Sequence, residues 1–154
     1  MSKKYEFTDE TITVNGITLH RIKALIDFDR FGVKAGDLGG FIEVEANLSH
    51  DGDAWVYENA LISGNALVSE NAKVSGDAKI KRSNDYACVN GFGSVYKNAT
   101  FFRCEDDLIR AQCGRFYGTI DEFRAKVKEA HGDSKYAKEY LMIADLMEYH
   151  FAED

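Results

Sequence analysis

From residue 54 to residue 80 the chain reads AWVYENALISGNALVSENAKVSGDAKI, and its apolar positions recur every six residues. Ala54, Ala60, Ala66, Ala72 and Ala78 open the units, and Val56, Ile62, Val68, Val74 and Ile80 follow each alanine two places later. Six is a multiple of the strand period and fits helix geometry poorly. Counting back in sixes reaches Leu48, Ile42 and Gly36. The sixth place of successive units holds Asn47, Asp53, Asn59, Asn65, Asn71, Asp77 and Ser83. The fifth alternates Gly52, Gly64 and Gly76 with Ala46, Glu58, Glu70 and Arg82. Each unit is thus a short extended segment with two inward apolar positions, ending in residues that tolerate tight corners. Three such sides make a turn of about 18 residues, so the pattern predicts a parallel β-helix over 31–85.

In this count His50 falls where neighbouring units place Val or Ile. Two readings follow: a general base for acyl transfer, or a partly buried corner histidine held by a hydrogen bond.

Upstream, TITVNGITLHRI alternates apolar and polar residues around Asn15-Gly16, a strong hairpin signal. This hairpin, within an N-terminal segment 1–30, caps the repeat, because stacked strands leave unpaired backbone at each end. Downstream, in 86–154, a second hairpin is predicted with strands near 99–104 and 108–113 and a turn at Asp106-Asp107. Thr119 and Glu122 form a capping box, followed by Ile120, Phe123 and Val127 at helical spacing, and Gly132 ends that helix. Asp133 or Ser134 caps a second helix carrying Tyr136, Tyr140, Ile143, Met147 and Phe151. The fold class read from these signals is mainly β with C-terminal helices (α+β): a short parallel β-helix flanked by hairpins, then an antiparallel helix pair.

Composition narrows the function. A net charge of -7 argues against direct nucleic-acid binding and against anionic membranes, which need a basic surface. No apolar run approaches the roughly 20 residues that span a bilayer, and MSKKYEF lacks the apolar core of a secretory signal. Cys88, Cys104 and Cys113 match no zinc spacing and read as reduced thiols, which points to the cytoplasm. His20, His131 and His150 show no metal-ligand spacing. No metal, cofactor or catalytic residue is expected, and the chain reads as a non-enzyme.

The candidate site is cationic. A hairpin turning symmetrically at Asp106-Asp107 sets Arg103 opposite Arg110, and like charges directly opposed need an offsetting anion. Arg115 lies just before the helix start at Thr119, where free N–H groups favour anions. These arginines are read as a phosphate or nucleotide site, with Tyr86 or Phe92 stacking a base and the glycines of VNGFGS allowing close backbone approach. The alternative is internal neutralisation by Glu105, Asp121 or Glu122.

Taken together, GDLGGFIEVEANLSHDGDAWVYENA, the A-x-[VI]-x-x-[ND] units and FFRCEDDLIRAQCGRFYGTIDEFRAKVKEAHGDSKYAKEY resemble a set of hypothetical proteins from bacteriophages and prophage regions with hexapeptide-repeat segments. The resemblance covers most of residues 30–151 and implies left-handed winding, a homo-oligomer with a trimer favoured, and life in an infected host cell's cytoplasm. It brings no activity with it. It suggests a binding protein of counter-defence type that sequesters a small anionic nucleotide-like ligand. Two alternatives stand beside that: an inhibitor that binds a host protein or defence complex through its surface, and a degenerate hexapeptide-repeat acyltransferase using His50.

Overall fold

The computed structural model describes residues 3–28, 32–93, 98–113 and 115–152. Ser94, the last residue of the VNGFGS stretch, lies outside them. Tyr5–Val14 (β1) and Ile17–Ala24 (β2) form a hairpin. Its turn residues Asn15 and Gly16 both take positive φ, which matches the twist of the flanking strands. Leu38–Ile42 (β3) follows, and then four strands of two residues each: Trp55–Val56 (β4), Leu61–Ile62 (β5), Lys73–Val74 (β6) and Lys79–Ile80 (β7). The first sheet has the order β1-β2-β3-β5-β7, and β4 pairs with β6. Tyr86–Val89 (β8), Ala99–Arg103 (β9), Ile109–Cys113 (β10) and Phe116–Thr119 (β11) make an antiparallel sheet in the order β11-β10-β9-β8. Ile120–His131 (α1) and Lys135–Phe151 (α2) complete the chain.

The architecture is a mixed α+β arrangement and corrects the predicted left-handed parallel β-helix. Among the described residues, parallel ladders are confined to β3-β5-β7 and β4-β6, and the third side of the repeat holds a single bridge between Leu48 and Val68. The hairpin adds antiparallel neighbours to β3, and an antiparallel bridge joins Ala78 to Cys104 beside β7. Strand length is the physical reason. Two residues offer too few hydrogen bonds to stand as a sheet edge, so both margins of the repeat take antiparallel partners. The helix pair at the C-terminus agrees with the sequence pattern.

The register explains His50. Parallel partners lie 20 residues apart at Ile42–Ile62 and Leu48–Val68, but 18 apart at Trp55–Lys73 and Leu61–Lys79. Residues 49–53 therefore carry two residues more than the 69–71 stretch beside them. Leu48, not His50, takes the inward place opposite Val68. His50 lies in the excess loop, stacked on Tyr5 at 4.2 Å, and its Nδ1 accepts the Lys4 backbone N–H.

Within the repeat both apolar positions of each unit are buried, from Ala54 and Val56 to Ala78 and Ile80. Gly40 stands where later units have alanine, and a Cβ there would meet the Ala60 carbonyl at 2.6 Å. The corners are tied by side chains that reach backbone. Asn47 accepts from the Glu43 and Val44 N–H groups and donates to the Gly64 and Ala66 carbonyls. Asp85 accepts from the Lys81 and Arg82 N–H groups. The end next to the hairpin is closed by Lys4 and Tyr5. Lys4 is 1% exposed and donates to the Gly52 and Ala54 carbonyls, while the Tyr5 hydroxyl donates to those of Glu45 and Leu48.

The β9 strand divides two cores. Phe102 joins the core of the repeat, and its neighbour Phe101 joins the core under the helices. Thr119 and Glu122 cap α1 reciprocally, Gly132 ends it at positive φ, and Ser134 caps α2.

Two outcomes are expected from this packing. Burial lowers the Lys4 pKa from 10.5 to about 8. Between those values the unfolded chain binds the extra proton, so this site's contribution to stability rises as pH climbs from about 8 to 10.5. In denaturant melts at stepped pH, wild type should therefore gain on Lys4→Met across that window. At pH 7 the variant should be weaker by about 1–3 kcal/mol, because buried carbonyls lose their donor. The second outcome concerns the corner places 52, 58, 64, 70 and 76, which all take positive φ; two of them are Glu58 and Glu70. In the same melts Glu70→Gly should raise the unfolding free energy by about 0.5 kcal/mol, the left-handed strain relieved less the added unfolded-state entropy.

Candidate ligand-binding cleft

The outer face of the first sheet is apolar. Leu19, Phe41 and Leu61 form a small cluster there, with Ile12 and Val14 against it, while Ile42, Ile62 and Ile80 point into the repeat's core. Strand alternation produces this split, because the second place of a unit points away from the interior. Where Leu61 fills that place on β5, Lys79 fills it on the adjacent β7. A cleft of about 170 Å³ opens beside the hairpin tip, with Val14, Ile17, Leu19 and Leu61 as apolar walls and Lys79 and Lys81 on its far bank.

The same two lysines also wall a second cleft, of about 280 Å³, between β7 and the β9–β10 turn. Arg82, Asp85, Arg103, Cys104, Glu105 and Asp107 complete its lining. The turn is anchored there by the Glu105 N–H, which donates to the Asp77 carbonyl. Asp85 is 5% exposed at its side chain and accepts from Arg103 Nε at 3.2 Å. Lys79 and Lys81 make no ion pair among the described residues. Four cations and three carboxylates leave this second cleft with one net positive charge. An apolar slot and a polar, mildly cationic slot therefore share one lysine wall. That combination accommodates a ligand with an apolar body and an anionic end.

The arginines read from sequence do not converge. Arg103 pairs with Ile109, and Arg110 with Phe102, so the two arginines stand on opposite faces of the sheet. The register differs from the symmetric expectation by one residue. Cys104 bonds Leu108, and Asp107 takes positive φ, which makes the turn an odd-numbered loop centred on Asp106. Arg110 is held by Asp106 at 2.8 Å and by Asp77 at 3.3 Å. Its hydrogen bonds keep the Asp106 carboxyl below the usual carboxylate range. For Arg103 and Arg110 neutralisation is thus internal, through ion pairs with Asp85, Asp77 and Asp106, with Glu122 close enough to Arg110 to feel its charge. Burial pushes the neighbouring Cys104 thiol up to about 11, so it stays protonated at neutral pH.

Arg115 is exposed and borders a different hollow, of about 200 Å³, with Phe116, Phe123 and Tyr140. Tyr86 bonds the Leu67 carbonyl at 2.7 Å, and the Phe92 carbonyl accepts from Tyr140. The Tyr86 ring packs against the core of the repeat and the Phe92 ring against the core under the helices, and neither lines the Arg103 cleft. Of the five residues read from sequence as ligand-binding, Arg103 alone lines the shared-wall site. The signal that marks Lys79 and Lys81 is their place in the six-residue unit: Lys79 holds the outward second place that Leu61 and Leu67 hold earlier, and Lys81 the fourth place, where Ser63, Ser69 and Ser75 precede it. Among the described residues, no group of three or more His, Cys, Asp or Glu side chains is arranged to hold a metal ion. No helix among them is long and apolar enough to cross a membrane.

Compared with models of known protein families, the chain matches none, and no curated protein matches it either.

The two arginines should differ in what they support. Arg103→Gln removes a partner from a buried carboxylate and is expected to cost about 1–3 kcal/mol. Arg110→Gln loosens a partly exposed cluster and is expected to cost under about 1 kcal/mol. Urea denaturation of the two variants side by side checks the order.

Proposed function

We propose that this protein is a non-enzymatic binding protein for a small anionic ligand with an apolar or planar body, of nucleotide-like chemistry. The carrying observation is the pair Lys79 and Lys81. They stand without ion-pair partners among the described residues, on the wall between an apolar slot and a polar one. A planar ring against Val14, Ile17, Leu19 and Leu61 would leave its charged group beside the ammonium groups, with Arg82 and Arg103 next along. The resemblance to phage proteins supports a counter-defence role in which the ligand is a nucleotide signal of the host.

One observation favours the alternative of a host-protein partner. On the other side of the same sheet face, Glu10, Glu58, Asp77 and Glu105 surround Phe41 and Ile12 in a broad hollow of about 670 Å³, where Arg21 pairs with Glu10 and leaves the acids in excess. Such a surface suits a basic protein segment. The acyl-transfer alternative draws no support from His50, which stacks on Tyr5 and is not among the residues lining either slot.

A thermal-shift panel of nucleoside monophosphates, cyclic mononucleotides and cyclic dinucleotides tests the proposal. A ligand present at about 100 Kd adds about 2.7 kcal/mol to stability and raises Tm accordingly. The Lys79→Gln/Lys81→Gln double variant should keep its own Tm and lose most of that shift. No shift across the panel, or an equal shift in the variant, would overturn the reading.

A further inference from the structure

The inner stripe of α2, from Ala137 through Tyr140, Ile143, Ala144 and Met147 to Phe151, packs into the second core. The opposite stripe carries Lys135, Lys138, Met142, Leu146 and Tyr149. At 100° per residue these five lie within about 40° of one line along the helix. Met142 is 71% exposed, Leu146 57% and Tyr149 83%. The outward face of a surface helix is ordinarily polar, and three large apolar side chains in line mark a contact surface.

We propose that the occupant of this surface is a second copy of the chain, with the two α2 helices packed antiparallel about a two-fold axis at Met142. The argument is the order of charge along the helix. Lys135 and Lys138 sit in its first turns and Asp145 and Glu148 in its later ones, the reverse of what the helix dipole favours, with His150 in the last turn as the exception. Helix α1 keeps the favoured order, with Asp121 and Glu122 in the first turn and Lys128 and His131 in the last. Arg124 of α1 answers Asp145 at 2.8 Å and Glu148 at 3.1 Å. Lys135 and Lys138 make no ion pair among the described residues. Centred on Met142, an antiparallel copy sets Lys135 over the partner's Tyr149, a cation–π arrangement, and Lys138 beside the partner's Leu146 and Asp145. The two Met142 side chains meet each other on the axis, where a flexible thioether packs readily against its own copy. The basic end of each helix then lies against the acidic end of the other. This contact differs from the trimer through the faces of the repeat that the resemblance implies. It uses none of the cleft residues, so it stands or falls independently of ligand binding.

A single helix face gives a contact at the small end of specific interfaces, so the expected affinity is micromolar. Sedimentation velocity of the full chain, up to about 100 μM, should show mass rising toward twice 17.3 kDa. Met142→Glu/Leu146→Glu, both exposed and therefore compatible with folding, should weaken association at least about tenfold with an unchanged circular dichroism spectrum. A bifunctional maleimide distinguishes the geometry. Met142→Cys chains should cross-link to themselves, and Lys135→Cys should cross-link when mixed with Tyr149→Cys but not alone, above the wild-type background of native thiols. A single-chain mass at every concentration overturns the proposal, whether or not the monomer adsorbs to vesicles or to another protein. Self-cross-linking of Lys135→Cys overturns the antiparallel geometry, and assembly untouched by the glutamate variant places the contact elsewhere.

Discussion

Strands of two residues leave most of their backbone polar groups to be satisfied by something other than their own ladder, and the rest of this structure is arranged around that need. Each unsatisfied buried N–H or carbonyl costs free energy comparable to a lost hydrogen bond. The protein meets the requirement in three ways. Parallel neighbours 18 or 20 residues on take one set of groups. Asn47 and Asp85 fold back onto the corners. Lys4 and Tyr5 turn inward to close the end that faces the hairpin. A lysine is an expensive plug, since its charge is taken out of water, yet its three donors suit a rim of carbonyls better than any apolar side chain.

This arrangement also creates the cleft. With the repeat's interior filled by alanines and β-branched residues, the alternate side chains of β5 and β7 must face outward. Leu61 therefore lies bare enough to be covered by the hairpin, and Lys79 stands beside it at the sheet's margin. The β9–β10 turn, hydrogen-bonded to Asp77, supplies the opposite bank. The slot is thus held by three elements far apart in the chain, each fixed by backbone hydrogen bonds. Such a site is preorganised and loses little freedom when filled.

Features legible from sequence were those set within a few residues. Asn15-Gly16 carries its own turn geometry, and Thr119 and Glu122 carry their own cap. The inward places of the repeat followed from a period of two. Partnership was not legible. Nothing local announces that β3 takes an antiparallel neighbour on one side and a parallel one on the other. The extra two residues between Ser49 and Asp53 are hidden, because the SHDGD stretch resembles any corner; counting straight through them put His50 in Leu48's place. One residue also decided the fate of the arginine pair. Asp107 in the left-handed region makes the turn odd-numbered and sends Arg103 and Arg110 to opposite faces. Lys4 gave no signal at all, since its role exists only once the carbonyls of Gly52 and Ala54 have been brought to it.

Consecutive phenylalanines on β9 have a consequence for the molecule as a whole. Phe101 and Phe102 are each 0% exposed and look into different cores. The strand is a party wall, so neither compartment can be emptied without baring one face of the other. The repeat and the helix pair are therefore bound into one cooperative unit, and a fragment ending before β9 would leave the floor of the repeat open to water where Phe102 had been.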